Sequence, residues 1–372
     1  MKKIAFITFV FMLTIILSGC YSSIAIKDFI PDLVNSFEEI EFDSLTVVET
    51  LETYGSMMPT GLSIHGDYLF AGDFSGRIYA FDLKDFEEEG YATIRNTTIT
   101  SPPQFIGDKM YYLYKKKQLP ELHLVKYNIR TGKEELDIET GILGDGSIRQ
   151  FENEIIVFTG EKAIFYDTLL SEQKSIGIVD ELSCVTYQTD GKIYLGSFSG
   201  ILHEIDIKGK TLKKNIPEFD EPVLTITKIG DNFVVSLESG RLVYEGESGH
   251  RFWEQETGKI VAEPVIAGGF LYVGTLSGMV FKINIKTGEI IAKYDTGGLI
   301  NLSLSVAGDK IVVPVADGRL ILLSSSKLYL IQTINFKGRI RTTAIGYGDN
   351  LFVGFDDGKI SVLKRLQSQV RD

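Results

Sequence analysis

The chain has 372 residues and a formal net charge of −12 at pH 7, with 44% hydrophobic and 24% charged residues. This acidic balance argues against nucleic acid as a partner, because nucleic-acid binding depends on neutralising phosphates with lysine and arginine. The chain has two cysteines, Cys20 and Cys184, and if Cys20 is modified as argued below, no intramolecular disulfide can form.

The first 19 residues have the layout of an export signal. Lys2 and Lys3 form a basic start, and an apolar run over residues 4–17 follows. The run is short for a bilayer span and typical of the hydrophobic region of a secretory signal peptide. We expect residues 1–19 to be removed, which leaves 36 lysines and arginines against 50 acidic residues, a net charge of −14.

The sequence Leu-Ser-Gly-Cys at 17–20 resembles the bacterial lipobox. Its residues are Leu17, Ser18, Gly19 and Cys20. The resemblance implies that Cys20 becomes the lipidated first residue of the mature chain, and two or more acyl chains such as palmitate hold a protein stably on a membrane. The alternative is an ordinary signal peptide, or a buried helix, with a cysteine there by accident.

Residues 20–44 are predicted to be a lipidated tether, because they contain no copy of the repeat that fills the rest of the chain. Pro31 and the DLVNSFEEIEF that follows it fit the start of a short helix, with Leu33, Phe37 and Ile40 on one face. As a flexible chain the tether would reach about 25–30 Å, which lets the folded domain stand off the membrane.

One sequence motif then recurs, as GDYLFAGDFSGRIYAFDLKD at 66–85, GKIYLGSFSGILHEIDIKGK at 191–210 and GGFLYVGTLSGMVFKINIKTGE at 268–289. Each copy has an apolar run rich in β-branched and aromatic residues, a Ser-Gly pair, a second apolar run and a second turn. This order predicts short antiparallel strands joined by tight hairpins. NLSLSV at 301–306, before the next copy, supplies a fourth strand.

The spacing of the copies predicts the fold. The hairpin glycines are Gly76, Gly200, Gly240, Gly278, Gly318 and Gly358, and from Gly200 onward their gaps are 40, 38, 40 and 40 residues. Two more copies fit before Gly200, at 107–134 with an enlarged hairpin and at 152–167 with a shortened one. Eight copies of about 40 residues with four strands each predict an all-β, eight-bladed β-propeller of four-stranded antiparallel blades.

The two ends of the repeat region are predicted to meet in one blade. The last copy, at 349–366, ends without room for a fourth strand, and LTVVETL at 45–51 precedes the first copy. We expect this N-terminal strand to complete the eighth blade, which removes a free sheet edge. The propeller would then span residues 45–366, with 367–372 as a C-terminal tail.

This repeat resembles that of the quinoprotein-type (PQQ-like) β-propellers. In that family the segment after the second turn often ends in a tryptophan that docks between blades, and Trp253, the only tryptophan, falls four residues after Gly249. The resemblance implies that Trp253 docks between blades. The corresponding positions of two other copies hold Leu136 and Ala292, so the docking residue is absent there.

Candidate chemistry is sparse, so we predict no catalytic residue, no metal site and no bound cofactor. The histidines, His65, His123, His203 and His250, lie on different copies without zinc-site spacing. GSFSG at 196–200 does not have the Gly-x-Ser-x-Gly order of a nucleophile elbow. Quinoprotein dehydrogenases of the family often carry an adjacent cysteine pair, which this chain lacks.

The favoured function is a membrane-anchored envelope lipoprotein that acts as a non-enzymatic protein-interaction scaffold. The combination of lipobox, tether and eight PQQ-like copies resembles the propeller lipoprotein of the outer-membrane β-barrel assembly machinery. The resemblance implies a β-barrel assembly protein as partner and a monomer within a larger complex. With Tyr21 rather than aspartate after Cys20, we expect the outer membrane, facing the periplasm, in a two-membrane organism, and otherwise the outer face of the cytoplasmic membrane.

Two further hypotheses concern where binding occurs. Lys115, Lys116 and Lys117, in the enlarged hairpin, are either a solvated loop tip or a docking finger for an acidic partner or lipid headgroups. A scaffold should expose apolar residues on connecting loops, such as Phe105, Ile106 or Leu119-Pro120. The alternative function, a ligand-binding or enzymatic propeller for a sugar or quinone, should gather Asp, Arg, His or Trp at the mouth of the central channel.

Overall fold

The structure, a computed structural model, describes residues 23–31, 42–94, 96–178, 180–187 and 191–366. The lipobox, nearly all of the helix predicted from Pro31 and the C-terminal tail lie outside the described residues. The described residues form strands and turns, and none of them belongs to a helix long and apolar enough to cross a membrane.

The strands fall into nine groups along the chain, and the first and last groups belong to one sheet. The first groups are β1 (Ser44–Glu52), then β2 (Met57–His65), β3 (Tyr68–Asp73), β4 (Arg77–Asp82) and β5 (Glu88–Thr93), then β6 (Thr97–Ile99), β7 (Gln104–Ile106), β8 (Lys109–Lys116), β9 (Glu121–Asn128) and β10 (Lys133–Leu143). The next are β11 (Ser147–Phe151), β12 (Glu154–Phe158), β13 (Lys162–Tyr166) and β14 (Glu172–Gly177), then β15 (Leu182–Tyr187), β16 (Lys192–Ser197), β17 (Ile201–Asp206) and β18 (Thr211–Glu218).

The second half of the chain repeats the pattern more regularly. Its strands are β19 (Val223–Ile229), β20 (Asn232–Leu237), β21 (Arg241–Gly246) and β22 (Arg251–Glu256), then β23 (Val265–Ala267), β24 (Phe270–Gly274), β25 (Met279–Asn284) and β26 (Ile290–Asp295), then β27 (Ser305–Ala307), β28 (Lys310–Pro314), β29 (Arg319–Ser324) and β30 (Leu330–Asn335), and finally β31 (Ile345–Tyr347), β32 (Asn350–Gly354) and β33 (Lys359–Leu366).

These strands form eight antiparallel sheets, which we number as blades 1 to 8 from β2 onward. Six blades are plain meanders of four consecutive strands. In blade 2 the first position is shared by β6 and β7, which both pair with β8, because Pro102 and Pro103 between them have no N–H to give to the ladder. The predicted all-β, eight-bladed propeller is confirmed.

The ring closes as predicted from the sequence. β1 pairs antiparallel with β33 from Ser44 opposite Leu366 to Glu52 opposite Lys359, with a bulge between Val47 and Glu49. Blade 8 therefore takes its first three strands from the C-terminal end of the chain and its fourth from the N-terminal end. This pairing covers the edge that β33 would otherwise expose.

The core lies between the blades. First strands of neighbouring blades contact one another around the central axis, whereas fourth strands such as β26 and β30 alternate between exposed and half-buried residues and form the outer wall. One apolar cluster joins Tyr272 and Val280 of blade 6 to Ile311, Val313 and Ile321 of blade 7. We call such an interface a seam, and its burial contributes roughly 25 cal/mol per Å² of apolar surface.

The propeller has one face at each end of its central axis, and the two faces carry different connections between strands. We call one end the hairpin face, because it carries the hairpins between second and third strands, such as Ser75-Gly76, and the links from blade to blade. The opposite end, the turn face, carries the turns between first and second and between third and fourth strands, such as Gly66-Asp67 and Thr131-Gly132.

Trp253 lies in the seam between blades 5 and 6. Its side chain is 8% exposed, and its indole Nε1 donates a hydrogen bond to the carbonyl of Ile285 at 2.8 Å. Its ring covers Gly288, which has a φ of +72° and where a Cβ would lie 2.5 Å from Trp253 Cγ. The tryptophan therefore ties the outer strand of one blade to the third–fourth turn of the next.

The next two seams are also tied by hydrogen bonds from a side chain of one blade to the backbone of the next. The carbonyl of Ser325, at the turn position of Ile285 one blade on, accepts from Lys282 Nζ at 2.8 Å. Burial of the ammonium lowers the pKa of Lys282. In the seam between blades 7 and 8, the amide of Gln332 pairs with both the N–H and the carbonyl of Leu45, each at 2.8 Å.

Residues 23–30 do not form part of the flexible tether predicted from the sequence. Ile24, Ile26 and Phe29 are buried against blades 1 and 2. The segment therefore belongs to the folded ring rather than to a linker that precedes it.

We expect Trp253→Ala to lower the free energy of unfolding by about 3–5 kcal/mol, because it removes a buried aromatic ring and the hydrogen bond to Ile285. Lys213→Ala is the matched control, since Lys213 occupies the same ladder position in blade 4 and is exposed, and it should change stability by less than about 0.5 kcal/mol. Denaturant unfolding measures both, and equal effects would refute a docking role for the indole.

The seam between blades 8 and 1 should make stability pH-dependent. Asp67 accepts a hydrogen bond from Tyr347 and pairs with Lys84 at 2.9 Å, and both contacts lower its pKa. A lowered folded-state pKa stabilises the fold above the unfolded-state pKa, and this contribution is lost as the pH falls through the folded-state value.

Asp67→Asn should therefore cost about 1–3 kcal/mol of unfolding free energy near neutral pH and much less at about pH 2. Asp231→Asn, at the same turn position of blade 5 where the side chain is exposed, is the control. Unfolding curves at both pH values test the prediction, which fails if the cost of Asp67→Asn is the same at both.

Candidate interaction face

The lysine cluster of blade 2 lies at the hairpin face, mostly on a strand. Lys115 and Lys116 belong to β8, and only Lys117 lies in the loop, where its N–H donates to the carbonyl of Asn96 at 3.0 Å. Lys115 Nζ pairs with Asp145 Oδ1 at 2.5 Å. The enlarged hairpin is therefore a lengthened strand pair with a short exposed tip, rather than a long loop of free lysines.

Apolar side chains are exposed around this tip. Leu119 is 65% exposed, and Leu143, at the end of the outer strand of the same blade, is 76% exposed. Phe74 and Phe198, at the same hairpin position in blades 1 and 4, are also exposed. The sequence predicted exposure for Leu119, but Leu143 was missed, because nothing in its sequence context separates it from the buried residues of an outer strand.

The expectation that Phe105 and Ile106 are exposed is wrong. Both lie half-buried on β7, and the ring of Phe105 stacks on His65 with centroids 4.4 Å apart. Phe105 packs in the seam between blades 1 and 2 and Ile106 in the seam between blades 2 and 3, so both are structural residues.

A groove runs beside the lysine hairpin because the next hairpin is short. In blade 3, β12 and β13 with their connection span residues 154–166, whereas β8 and β9 of blade 2 with theirs span residues 109–128. The cavity left between blades 2 and 3 has a volume of about 740 Å³, and its walls include Leu143, Asp145, Gly160, Glu161, Lys162 and Ile178. A second cavity of about 380 Å³ shares Asp145 and Gly160 and extends to Cys184 of blade 4.

The groove has the chemistry of a protein-docking surface. Leu143 and Ile178 supply apolar wall, and Asp145, Glu161 and Lys162 supply charge of both signs. Protein interfaces combine apolar contacts with polar and charged groups in this way. The signal in the sequence was the contrast between an enlarged hairpin and a shortened one in neighbouring copies.

The serines and the histidine of blade 4 do not form a catalytic triad. His203 Nε2 contacts Asp180 Oδ2 at 3.0 Å, and Ser199 Oγ donates to the other oxygen of the same carboxylate, also at 3.0 Å. A nucleophilic serine needs its own hydrogen bond to the base. Here both side chains share Asp180, and Ser197 Oγ accepts from the N–H of Ile201, so the cluster shapes the hairpin.

Near the central axis, the most notable titratable group is Glu263, ahead of β23. Its side chain reaches solvent, but surrounding protein partly desolvates it and raises its pKa, while a hydrogen bond from Thr186 and the charge of Arg149 act in the opposite direction. These partners come from the first strands of blades 3 and 4. A ligand in the central channel would contact this group of three side chains.

One group of described residues could hold a cation. A ring nitrogen of His123 and one carboxylate oxygen each of Glu121 and Glu139 lie within 4.8 Å of one another. His123 Nδ1 contacts Asp137 at 3.0 Å, which orients the ring. Because Glu139 is exposed and Glu121 half-buried, the group supplies ligands without enclosing an ion.

Comparison with known proteins places the fold in context. Residues 238–372 match the family model described as outer membrane protein assembly factor BamB. Over these residues the sequence is similar to BamB. No curated protein matches the sequence.

Two solved structures share the architecture. BamB from Moraxella catarrhalis is 17% identical, with a TM-score of 0.67 over 86% of this chain and 100% of that one. The computationally designed Ika8 protein is 14% identical, with a TM-score of 0.68 over 84% of this chain and 98% of that one. At these identities the structural likeness establishes the propeller fold.

Proposed function

We propose that this protein is a lipid-anchored envelope scaffold that binds a partner protein through the hairpin face of blades 2 to 4, without catalysing a reaction. The observation that carries the proposal is the groove between blades 2 and 3, with exposed Leu143 in its wall and exposed Leu119 at the tip of the neighbouring blade 2 hairpin. Exposed apolar side chains at the edge of a groove are a mark of a protein-binding surface.

The anchor is acylated Cys20, after removal of residues 1–19. In a two-membrane organism we place the protein at the outer membrane, facing the periplasm, and otherwise on the outer face of the cytoplasmic membrane. The lipobox supports the anchor, and the match of residues 238–372 to an outer membrane protein assembly factor supports the location.

The proposed partner is an outer-membrane β-barrel assembly protein, bound by one copy of this chain within a larger complex. The mixed charges and apolar wall of the groove suit a polypeptide segment. A scaffold role without catalysis is supported by the arrangement at Asp180, where His203 and Ser199 share a carboxylate instead of pairing with each other.

A ligand-binding or enzymatic role for the central channel, with a sugar or quinone as ligand, is the second candidate. Glu263, with its raised pKa and its neighbours Thr186 and Arg149, is the observation that favours it. One such group is fewer than the several convergent polar groups that small-molecule sites use.

Site-specific photocrosslinking in cells tests the docking face. A photoreactive amino acid at Leu119 or Leu143 should crosslink to a β-barrel assembly protein. The matched control is Tyr329, which is 61% exposed at the turn between β29 and β30, on the opposite face. Crosslinking from Tyr329 but not from the leucines would refute the hairpin face as the docking surface.

The double substitution Leu119→Asp with Leu143→Asp should weaken co-purification of the partner by roughly 10-fold or more, because it replaces the two exposed apolar side chains of the docking face with charges. Both side chains are exposed, so thermal unfolding should be unchanged. The same change at Tyr329 and Leu169, exposed on the turn face, is the control. Unaltered co-purification by the first pair would contradict the proposal.

A further inference from the structure

The seam between blades 1 and 2 lacks a docking side chain of its own. In blade 5, Trp253 lies opposite Tyr244, the fourth residue of the third strand. The same ladder position in blade 1 pairs Ala80 with Gly90. Gly90 has a φ of +141° and no side chain, so blade 1 leaves open the space that Trp253 fills in blade 5.

The N-terminal segment occupies that space. A Cβ at Gly90 would lie 2.7 Å from the carbonyl oxygen of Ser23, and a Cβ at Gly132 would lie 2.7 Å from Ser23 Oγ. Ile24 is fully buried in the apolar cluster of blades 1 and 2, and Tyr127 of blade 2 donates to its carbonyl at 3.2 Å.

The N-terminal segment also makes a hydrogen bond equivalent to the one that Trp253 makes in the seam between blades 5 and 6. Ile129 and Gly132 hold the same turn positions in blade 2 as Ile285 and Gly288 in blade 6. The backbone N–H of Ile26 donates to the carbonyl of Ile129 at 2.9 Å, where the indole of Trp253 donates to Ile285 at 2.8 Å. We call residues 23–30 the N-terminal clasp.

The clasp runs inward along the turn face. Phe29 is 1% exposed, and its ring lies 5.1 Å from that of His65. The carbonyl of Ile30 would lie 2.7 Å from a Cβ at Gly66, in the turn between the two innermost strands of blade 1. The other end of the clasp, Ser23, therefore lies at the outer rim of the turn face, next to Gly132.

We propose that the clasp fixes the lipid anchor at this rim, so that the turn face of blades 1 and 2 lies against the membrane surface. The proposal rests on the acylation of Cys20 proposed above. Three Cα–Cα steps separate Cys20 from Ser23, so the acylated residue lies at most about 11 Å from the rim. Its acyl chains enter the bilayer, which holds the rim at the level of the lipid headgroups.

The same geometry directs the hairpin face away from the lipid. β8 runs the full height of blade 2, from Lys109 at the turn face to Lys116 at the hairpin face, a distance of about 24 Å. The lysine cluster and the groove beside it therefore face the aqueous side. This favours a protein partner over lipid headgroups for Lys115–Lys117.

Quenching by lipid measures the orientation directly. The full-length acylated chain with Cys184→Ala is given one new cysteine, carries a fluorophore there, and is bound to vesicles that contain a nitroxide-headgroup lipid. Three exposed positions separate the possibilities: Thr131 at the turn face of blade 2, Leu119 at its hairpin face, and Lys286 at the turn face of blade 6, across the ring. We expect quenching at Thr131 to exceed that at the other two by roughly twofold or more.

The outcomes distinguish a failure of the proposed orientation from a failure of the lipid anchor. Equal quenching at Thr131 and Lys286, or stronger quenching at Leu119, overturns the orientation while leaving the anchor intact. Vesicle flotation, measured first, reports the anchor itself. A chain that does not float with vesicles overturns both the anchor and this inference.

Two neighbouring substitutions test whether the clasp causes the orientation. Ile24→Asp places a charge on a fully buried side chain and should release the clasp, so quenching at Thr131 falls towards that at Lys286. Ala25→Asp introduces the same charge at an exposed position and should leave the pattern unchanged. Fluorescence of Trp253, in the seam between blades 5 and 6, reports whether the ring remains folded. An unchanged pattern in folded Ile24→Asp refutes a causal role for the clasp.

Discussion

The structure depends on packing between blades. A four-stranded sheet of this size has two apolar faces and cannot bury either one alone, so each blade is stable only against its neighbours. Every blade can bury both of its apolar faces only if the first and last blades of the ring are also joined. That is why β1 pairs with β33, and why the first and last strands of the chain lie in a single blade.

The seams share a geometry but not a sequence. At corresponding turn positions a carbonyl accepts from the indole of Trp253, from the ammonium of Lys282, or from the backbone N–H of Ile26. An unpaired carbonyl in a seam is costly, and in these three seams the donor comes from a different group each time. The N-terminal clasp meets this requirement in the seam between blades 1 and 2, because Gly90 has no side chain that could donate a hydrogen bond.

The parts that carry function differ from the parts that carry the fold. Second and third strands are nearly interchangeable between blades because they face the same apolar surroundings. The hairpins point into solvent, so their length is free to vary, and the contrast between the long hairpin of blade 2 and the short hairpin of blade 3 creates the groove. With the clasp on the turn face and the groove on the hairpin face, anchorage and docking occupy opposite ends of the same ring.

The sequence by itself determined the number of blades, their order and their closure, because strand alternation and hairpin glycines are local signals that recur at a fixed interval. It also located the unequal hairpins of blades 2 and 3. Only the tertiary structure decided the surroundings of single residues. Phe105 is half-buried because His65 of the neighbouring blade covers it, and residues 23–30 are ordered because a glycine some 60 positions further along leaves room for them. Such pairings join residues far apart in the chain, and no local pattern records them.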